Sequence, residues 1–367
     1  MKSVVLMPYC PWPAQTGTKV EMMKHMEMLK SLGSCTVASA QGRPVGFGWT
    51  KEARQELIRQ GYTLIFQEEA LGGKTPMQWL GMAYGAFCKA LKMNKAFGHA
   101  NPYHRFAFSE IWWREVTRGA DLAVMQYGFW VRFKTACPQV IILHELLSNY
   151  HWGGTRQETR ELRQANLVIV VGHDEEQALL ERGLQNVIWS PPAVPPMNLP
   201  LSPEVGIIGT MDPQNMEGLS WLEKSTHGEP PIVFVYGGMA KAVSAPFLKP
   251  IGRYEERFEP YRHCGIFLMT RDDRPGLQIK AVEALACGRA IVARKGSMRG
   301  LPAGKGAWIE VNSPGEMLTV AKNLRDDQKA RETLAAEARR FYCQHLEEQQ
   351  VLFRLREAYK RLADKAC

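Results

Sequence analysis

Seven residues in the middle of the chain, Ser190-Pro191-Pro192-Ala193-Val194-Pro195-Pro196, decide more about the fold than any other stretch. Proline locks φ and has no amide hydrogen, so this segment cannot lie inside a helix or a central strand and reads as an extended linker. The stretches on either side of it share one pattern. A chain of 367 residues is long enough for two cores, at roughly 100 to 200 residues per domain.

Before the linker, Ser3-Val4-Val5-Leu6-Met7 is the apolar run of a buried parallel strand, and it breaks at a Pro-rich loop ending in Thr16-Gly17-Thr18. Met22, Met23, Met26, Leu29 and Leu32 then recur at helical spacing, with Gly33 placed as a C-terminal cap. Further strand-like runs fall at residues 62–66, 122–125, 140–143 and 167–171, with helical stretches at 78–93 and 109–117. After the linker, strands are expected at 205–209, 232–236, 265–269, 290–293 and 307–311, and helices near 217–223, 277–287 and 314–324. The last 40 residues read as helical, with an apolar stripe of Phe341, Leu346, Val351, Leu352, Leu355, Tyr359 and Leu362. This double alternation is that of an α/β chain with two doubly wound sheets. The expected domains are 1–195, 196–340 and a C-terminal helix at 341–367 that returns to the first domain. Two such domains leave a cleft between the carboxyl ends of their sheets, where open α/β folds bind ligands.

Composition removes other classes. Apolar residues make up 45% and charged residues 23%, which excludes disorder, collagen and coiled coil as the main architecture. The longest stretch without a charged side chain, residues 183–203, holds six prolines and cannot span a membrane as a helix. Lys2 precedes only Val4 to Met7 before Pro8, too little for a secretory leader, so a cytoplasmic protein is expected. Eight scattered cysteines without a CxxC pair read as reduced thiols. A net charge of +9 favours an anionic partner.

The most informative stretch runs from Gly276 to Ala293: a loop glycine, a helix carrying Lys280 and Glu283, a cap glycine at Gly288 and a buried strand. Alone, Glu283 reads as a solvated helix residue. The segment resembles the donor-site motif of the retaining nucleotide-sugar glycosyltransferases of the group 1 class, glycosyltransferase family 4, at Lys280, Glu283, Ala284, Ala286 and Gly288. That resemblance implies the GT-B fold, two Rossmann-like domains facing a central cleft. It also implies a nucleoside diphosphate sugar as donor, no metal or other cofactor, and retention of configuration. A carboxylate at Glu283 can accept two hydrogen bonds from vicinal ribose hydroxyls. Lys280, three residues earlier on the same helical face, can meet a phosphate or pair with Glu283. The loop at Pro275 and Gly276, just before the helix that opens at Leu277, would offer the backbone N–H groups of Gly276 and Leu277 to a diphosphate.

Two departures stand out. Many family members carry a second Glu at the place of Pro275, and many place Arg and Lys after the glycine matching Gly209. Here Gly209 and Thr210 are followed by Asp212, Pro213, Gln214, Asn215 and Glu217, which leaves Arg271, Arg274 and Lys280 as the cations for a diphosphate. In the first domain the resemblance places Gly17 beside the leaving diphosphate and His144, at a strand end, against a hydroxyl of the donor sugar. Each also reads as ordinary structure, Gly17 as a turn and His144 as a packed histidine. No metal site is expected: His144-Glu145 and His151 lack the HExxH spacing.

Residues 70–109 contain no Asp or Glu but hold Lys74, Lys89, Lys92, Lys95 and Arg105 among Trp79, Leu80, Tyr84, Phe87 and Leu91. This suits peripheral docking at an anionic membrane surface. It suits still better a helix packed on its own sheet with a solvated lysine face. No nucleic-acid reader motif accompanies the charge, so no nucleic acid is expected. P-loop, dinucleotide and nucleophile-elbow motifs are absent. The reading is a glycosyltransferase whose acceptor could be lipid-linked, a saccharide, a small molecule or a protein. The alternatives are a non-catalytic sugar-nucleotide binder and a GT-B-like epimerase or phosphorylase.

Overall fold

A computed structural model describes the chain apart from residues 15, 42–46, 91–105, 151–153, 226–227 and 365–367. The chain divides into two compact units, Met1–Pro191 with Leu352–Cys367, and Pro192–Val351. The first division falls inside the proline segment. The second falls inside the last helix, Glu348–Asp364, rather than at residue 341. Packing explains the later return: Phe341 stacks edge-on against Trp308, and the Tyr342 hydroxyl donates to Val194 O at 2.5 Å, all within the second unit. Leu355 and Tyr359 instead join the core of the first unit, among Met22 and Met26.

The first unit is a seven-stranded parallel sheet. Its strands are β1 Lys2–Leu6, β2 Ser34–Ser39, β3 Thr63–Phe66, β4 Leu122–Gln126, β5 Gln139–Leu143, β6 Leu167–Val170 and β7 Val187–Trp189. They lie in the order β3-β2-β1-β4-β5-β6-β7. Strand alternation sends Val4 and Leu6 into one core, with Ile141 and Leu143, while Val5 and Met7 enter another on the opposite face, with Val140 and Ile142. Both faces are therefore covered, which is why these strands read as continuous apolar runs.

The second unit repeats the plan with six parallel strands: β8 Val205–Ile208, β9 Val233–Tyr236, β10 Leu248–Gly252, β11 Ile266–Met269, β12 Ala290–Arg294 and β13 Ile309–Val311. Their order is β10-β9-β8-β11-β12-β13. Each sheet thus reverses its winding beside its own first strand, between β1 and β4 and between β8 and β11. Helices Gly17–Ser31, Pro76–Ala90, Glu110–Val116, Pro314–Asp326 and Gln328–His345 fill the expected helical stretches. Residues 91–93 of the expected helix at 78–93 lie outside the described residues.

The extended linker cannot satisfy its carbonyls in a sheet, so side chains do so. Lys24 Nζ donates to Pro191 O at 2.9 Å, and Arg339 donates to Met197 O at 3.0 Å. Fully buried Arg289 donates to Leu199 O at 2.8 Å and Pro200 O at 2.7 Å.

Candidate active site

In the second unit the residues read as donor-binding gather at the carboxyl ends of β8 and β11, the reversal point of the sheet. β8 runs into Gly209 and Thr210, then Asp212 caps the helix Pro213–Glu223 by accepting from Gln214 N and Asn215 N, each at 3.0 Å. Thr210 Oγ1 donates to the other Asp212 oxygen at 2.5 Å. Pro213 to Glu217 are therefore the opening of a helix expected only from 217, because an Asp followed by Pro is an N-cap and first-turn signature. The loop is tightly closed. A side chain on Gly237, at φ +84°, would collide with the Gly209 carbonyl.

Lys280 lies on the helix Ile279–Ala286 and is held from two sides, donating to Ile208 O at 2.7 Å and Asn215 Oδ1 at 2.9 Å. Burial pulls its pKa down to about 8, opposed by Asp212 and assisted by Arg271. Lys280 thus ties the end of β8 and Asn215 to the helix Ile279–Ala286. The sequence motif places it against a phosphate; its ammonium is committed first to the end of β8.

Glu283, one turn later, does not pair with Lys280. Arg257 Nε donates to Oε1 at 2.7 Å and the Tyr261 hydroxyl to Oε2 at 2.8 Å. The carboxylate is 12% exposed and the guanidinium 37%, so the pair sits where a ligand can compete for it. Both partners come from the segment before β11, 26 and 22 residues upstream, and no local spacing in the sequence announces them. Glu283, with the Tyr254 and Cys287 groups nearby, raises the already burial-shifted Tyr261 pKa well above its usual range.

The loop between β11 and this helix holds the other donor-side residues. Gly276 has φ +98°, and a side chain there would meet only Arg271 Nη2, at 3.8 Å, so its backbone faces open space. Arg271 Nη2 donates to Pro275 O at 2.6 Å, and Arg274 pairs with Asp272 at 2.9 Å. Leu277 is partly buried just before Gln278. Gln278 is the N-cap but makes no side-chain cap bond, its amide donating instead to Ser297 O at 2.5 Å. The first-turn N–H groups are left without a capping side chain, at the positive end of the helix dipole.

In the first unit Gly17 opens the helix Gly17–Ser31, whose N-cap Thr16 likewise makes no side-chain cap bond. His144 follows β5, with Nε2 at 2.8 Å from Gln126 Oε1 and its ring 4.7 Å from that of Tyr127. With the amide oxygen accepting, Nε2 carries the proton and Nδ1 keeps a lone pair. Burial, reinforced by the Lys24 charge, holds the His144 pKa down to about 3, so the ring is neutral. Tyr127, whose ring contacts His144, has its hydroxyl 3.0 Å from that of Tyr9. No sequence signal singles out either tyrosine.

Among the described residues no group of three or more His, Cys, Asp or Glu could hold a metal ion. His151 lies outside the described residues. So do Lys92, Lys95 and Arg105 of the acid-free segment, together with the side chain of Lys89. The helix Pro76–Ala90 departs from the expectation of a helix packed by its apolar residues. It buries Gln78 while leaving Trp79 59%, Leu80 55%, Phe87 57% and Met77 48% exposed. No described helix is long and apolar enough to cross a membrane.

Two doubly wound parallel sheets of seven and six strands make this an α/β protein of the GT-B fold, with two Rossmann-like units. HepE of Anabaena, solved with UDP, is similar with a TM-score of 0.66 at 14% identity, covering 99% of this chain and 100% of HepE. Sucrose-phosphate synthase of Thermosynechococcus elongatus has a TM-score of 0.64 at 14% identity, with 100% of both chains covered. TarM has 0.64 at 11% identity, over 98% of this chain and 99% of its own. No protein-family model and no curated protein matches the sequence. At these identities the likeness establishes the fold.

Proposed function

We propose that the chain is a cytoplasmic glycosyltransferase that takes a sugar from a nucleoside diphosphate sugar, gripped by the second unit, and gives it with retention of configuration to an acceptor on the first. What carries the reading is the helix Ile279–Ala286: it brings Lys280 and Glu283 to the β8/β11 reversal of a fold shared end to end with glycosyltransferases. HepE has been solved with UDP and with UDP-glucose. In this chain the diphosphate would take the uncapped N–H groups beside Gly276. Lys280, Arg271, Arg274 and the helix N-terminus would balance its charge without a metal. Ribose hydroxyls would replace Arg257 at Glu283. No side-chain nucleophile lies in the proposed machinery, so the leaving phosphate takes the acceptor proton in a front-face displacement. His144, neutral with Nδ1 free to accept, and Gly17 serve the donor sugar and diphosphate.

Calorimetry with UDP tests the grip. Glu283→Ala is expected to weaken UDP binding by about 1–3 kcal/mol, the range for lost charged hydrogen bonds. Equal affinities would remove Glu283 from the site. A second reading, a non-catalytic sugar-nucleotide binder, draws on Pro275 and on the partners that already occupy both Glu283 oxygens and Lys280. Acceptor-free hydrolysis of a nucleotide-sugar panel separates the two, since only the transferase releases sugar.

The exposed aromatic face of Pro76–Ala90 extends the proposal to a peripheral membrane contact, because Trp, Tyr and Phe beside lysines suit an anionic interface. The protein should sediment with phosphatidylserine vesicles at low salt and be released as salt screens the attraction. Failure to bind such vesicles excludes the contact.

A further inference from the structure

Tyr127 is the one described residue other than glycine with a positive φ, at φ +72° and ψ +153°. Only glycine enters that backbone region freely, and strained residues of this kind gather where function requires them. Its place in the fold matters as much. Tyr127 directly follows β4, at the β1/β4 reversal of the first sheet. The strain places its hydroxyl 3.0 Å from that of Tyr9, which follows β1. The Tyr9 ring in turn stacks on Phe47, with centroids 4.7 Å apart and planes 16° from parallel. Phe47 is 61% exposed, yet its backbone is pinned by Cys10 N donating to Phe47 O at 3.0 Å. An exposed, anchored aromatic ring therefore adjoins Tyr9 and, through it, Tyr127, both half-buried and each carrying a hydroxyl that can donate and accept.

We infer that Phe47, Tyr9 and Tyr127 form a saccharide-ring subsite on the first unit. A pyranose presents C–H groups on its face and hydroxyls at its rim, which match an aromatic plane bordered by paired hydroxyls. A brace for the loop would need only the backbone, which glycine adopts without strain; the tyrosine adds a ring and a hydroxyl. The inference rests on the proposed function for its consequence, that the acceptor is a carbohydrate, and on the geometry alone for its location.

The test is saturation-transfer NMR on the full chain without nucleotide, using the methyl β-glycosides of glucose, galactose and N-acetylglucosamine, with UDP calorimetry in parallel. Wild type should saturate the ring C–H protons of at least one glycoside. Phe47→Ala, and separately the pair Tyr9→Phe with Tyr127→Phe, should cut that signal about tenfold, the size of one lost aromatic contact or net hydrogen bond. UDP affinity should stay unchanged in both variants. No saturation in wild type, or equal saturation in the variants, overturns the subsite. If glycosides behave as expected but UDP does not bind, the donor reading fails and the subsite stands. Phe47 is exposed and Tyr→Phe conserves shape, so the variants keep the fold.

Discussion

The two units use one strand order at their reversal points but furnish them differently. In the second, the residues after β8 and β11 are small, polar or cationic: Gly209, Thr210, Asn215, Gly276 and Lys280, knit by Asp212. In the first, Tyr9, Tyr127 and His144 follow β1, β4 and β5, bulky rings in contact with one another through the paired hydroxyls and the tilted Tyr127–His144 pair. A backbone-lined, positively charged crevice suits a diphosphate. An aromatic crevice with hydroxyls suits an uncharged polyol. On the proposed function, one architecture serves two ligands of opposite character through the few residues that follow each strand.

Lys280→Met is the sharpest way to break this contrast. It strips Ile208 O and Asn215 of a buried donor and should lower stability by about 2–6 kcal/mol, at about 1–3 for each of the two acceptors left unsatisfied, in chemical denaturation. It should also abolish UDP binding while glycoside binding on the first unit persists in the folded fraction. If both ligands are lost together at a temperature where the variant is folded, the two crevices are not independent.

Acid distinguishes them next. Burial holds His144 at about 3 and His25 well below its ordinary value, so the unfolded chain takes up protons that the fold refuses. Their contribution is intact above about pH 6.5, the usual histidine value, and is lost as pH falls toward 3, at about 1.4 kcal/mol per pH unit for each proton. His144→Asn should therefore lose less stability than wild type between pH 6 and 4, measured by urea unfolding. Parallel curves would mean that His144 titrates normally.

The smallest effect concerns Lys280, whose pKa of about 8 leaves it partly deprotonated at that pH. A bound diphosphate favours the charged form, so UDP binding at pH 8 should take up a fraction of a proton. Calorimetry in two buffers of different ionisation heat reads this directly. An identical heat in both would place the anion away from Lys280.

How far these features were legible in the sequence depends on whether they are local. The parallel strands with two buried faces announce themselves as apolar runs, and the Lys280 helix shows through its own spacing. Ser34–Ser39 and Val187–Trp189 escaped, the first because small and polar residues dilute its run, the second because it is three residues long. The partners of Glu283 come from another segment brought in by the fold, beyond the reach of any local motif. The strain at Tyr127 escaped for a different reason: a left-handed backbone is readable at a glycine, and nothing in a tyrosine's identity signals it.

β10, Leu248–Gly252, was missed because Lys249 and Pro250 argue against a strand. It lies at the rim of its sheet, paired only with β9. A parallel rim of this kind is an open template for a second chain, able to seed edge-to-edge aggregation. Pro250 offers no amide hydrogen for such a partner, and the exposed Lys249 ammonium penalises stacking a like copy alongside. The two residues that disguise this strand are also the ones that oppose such pairing.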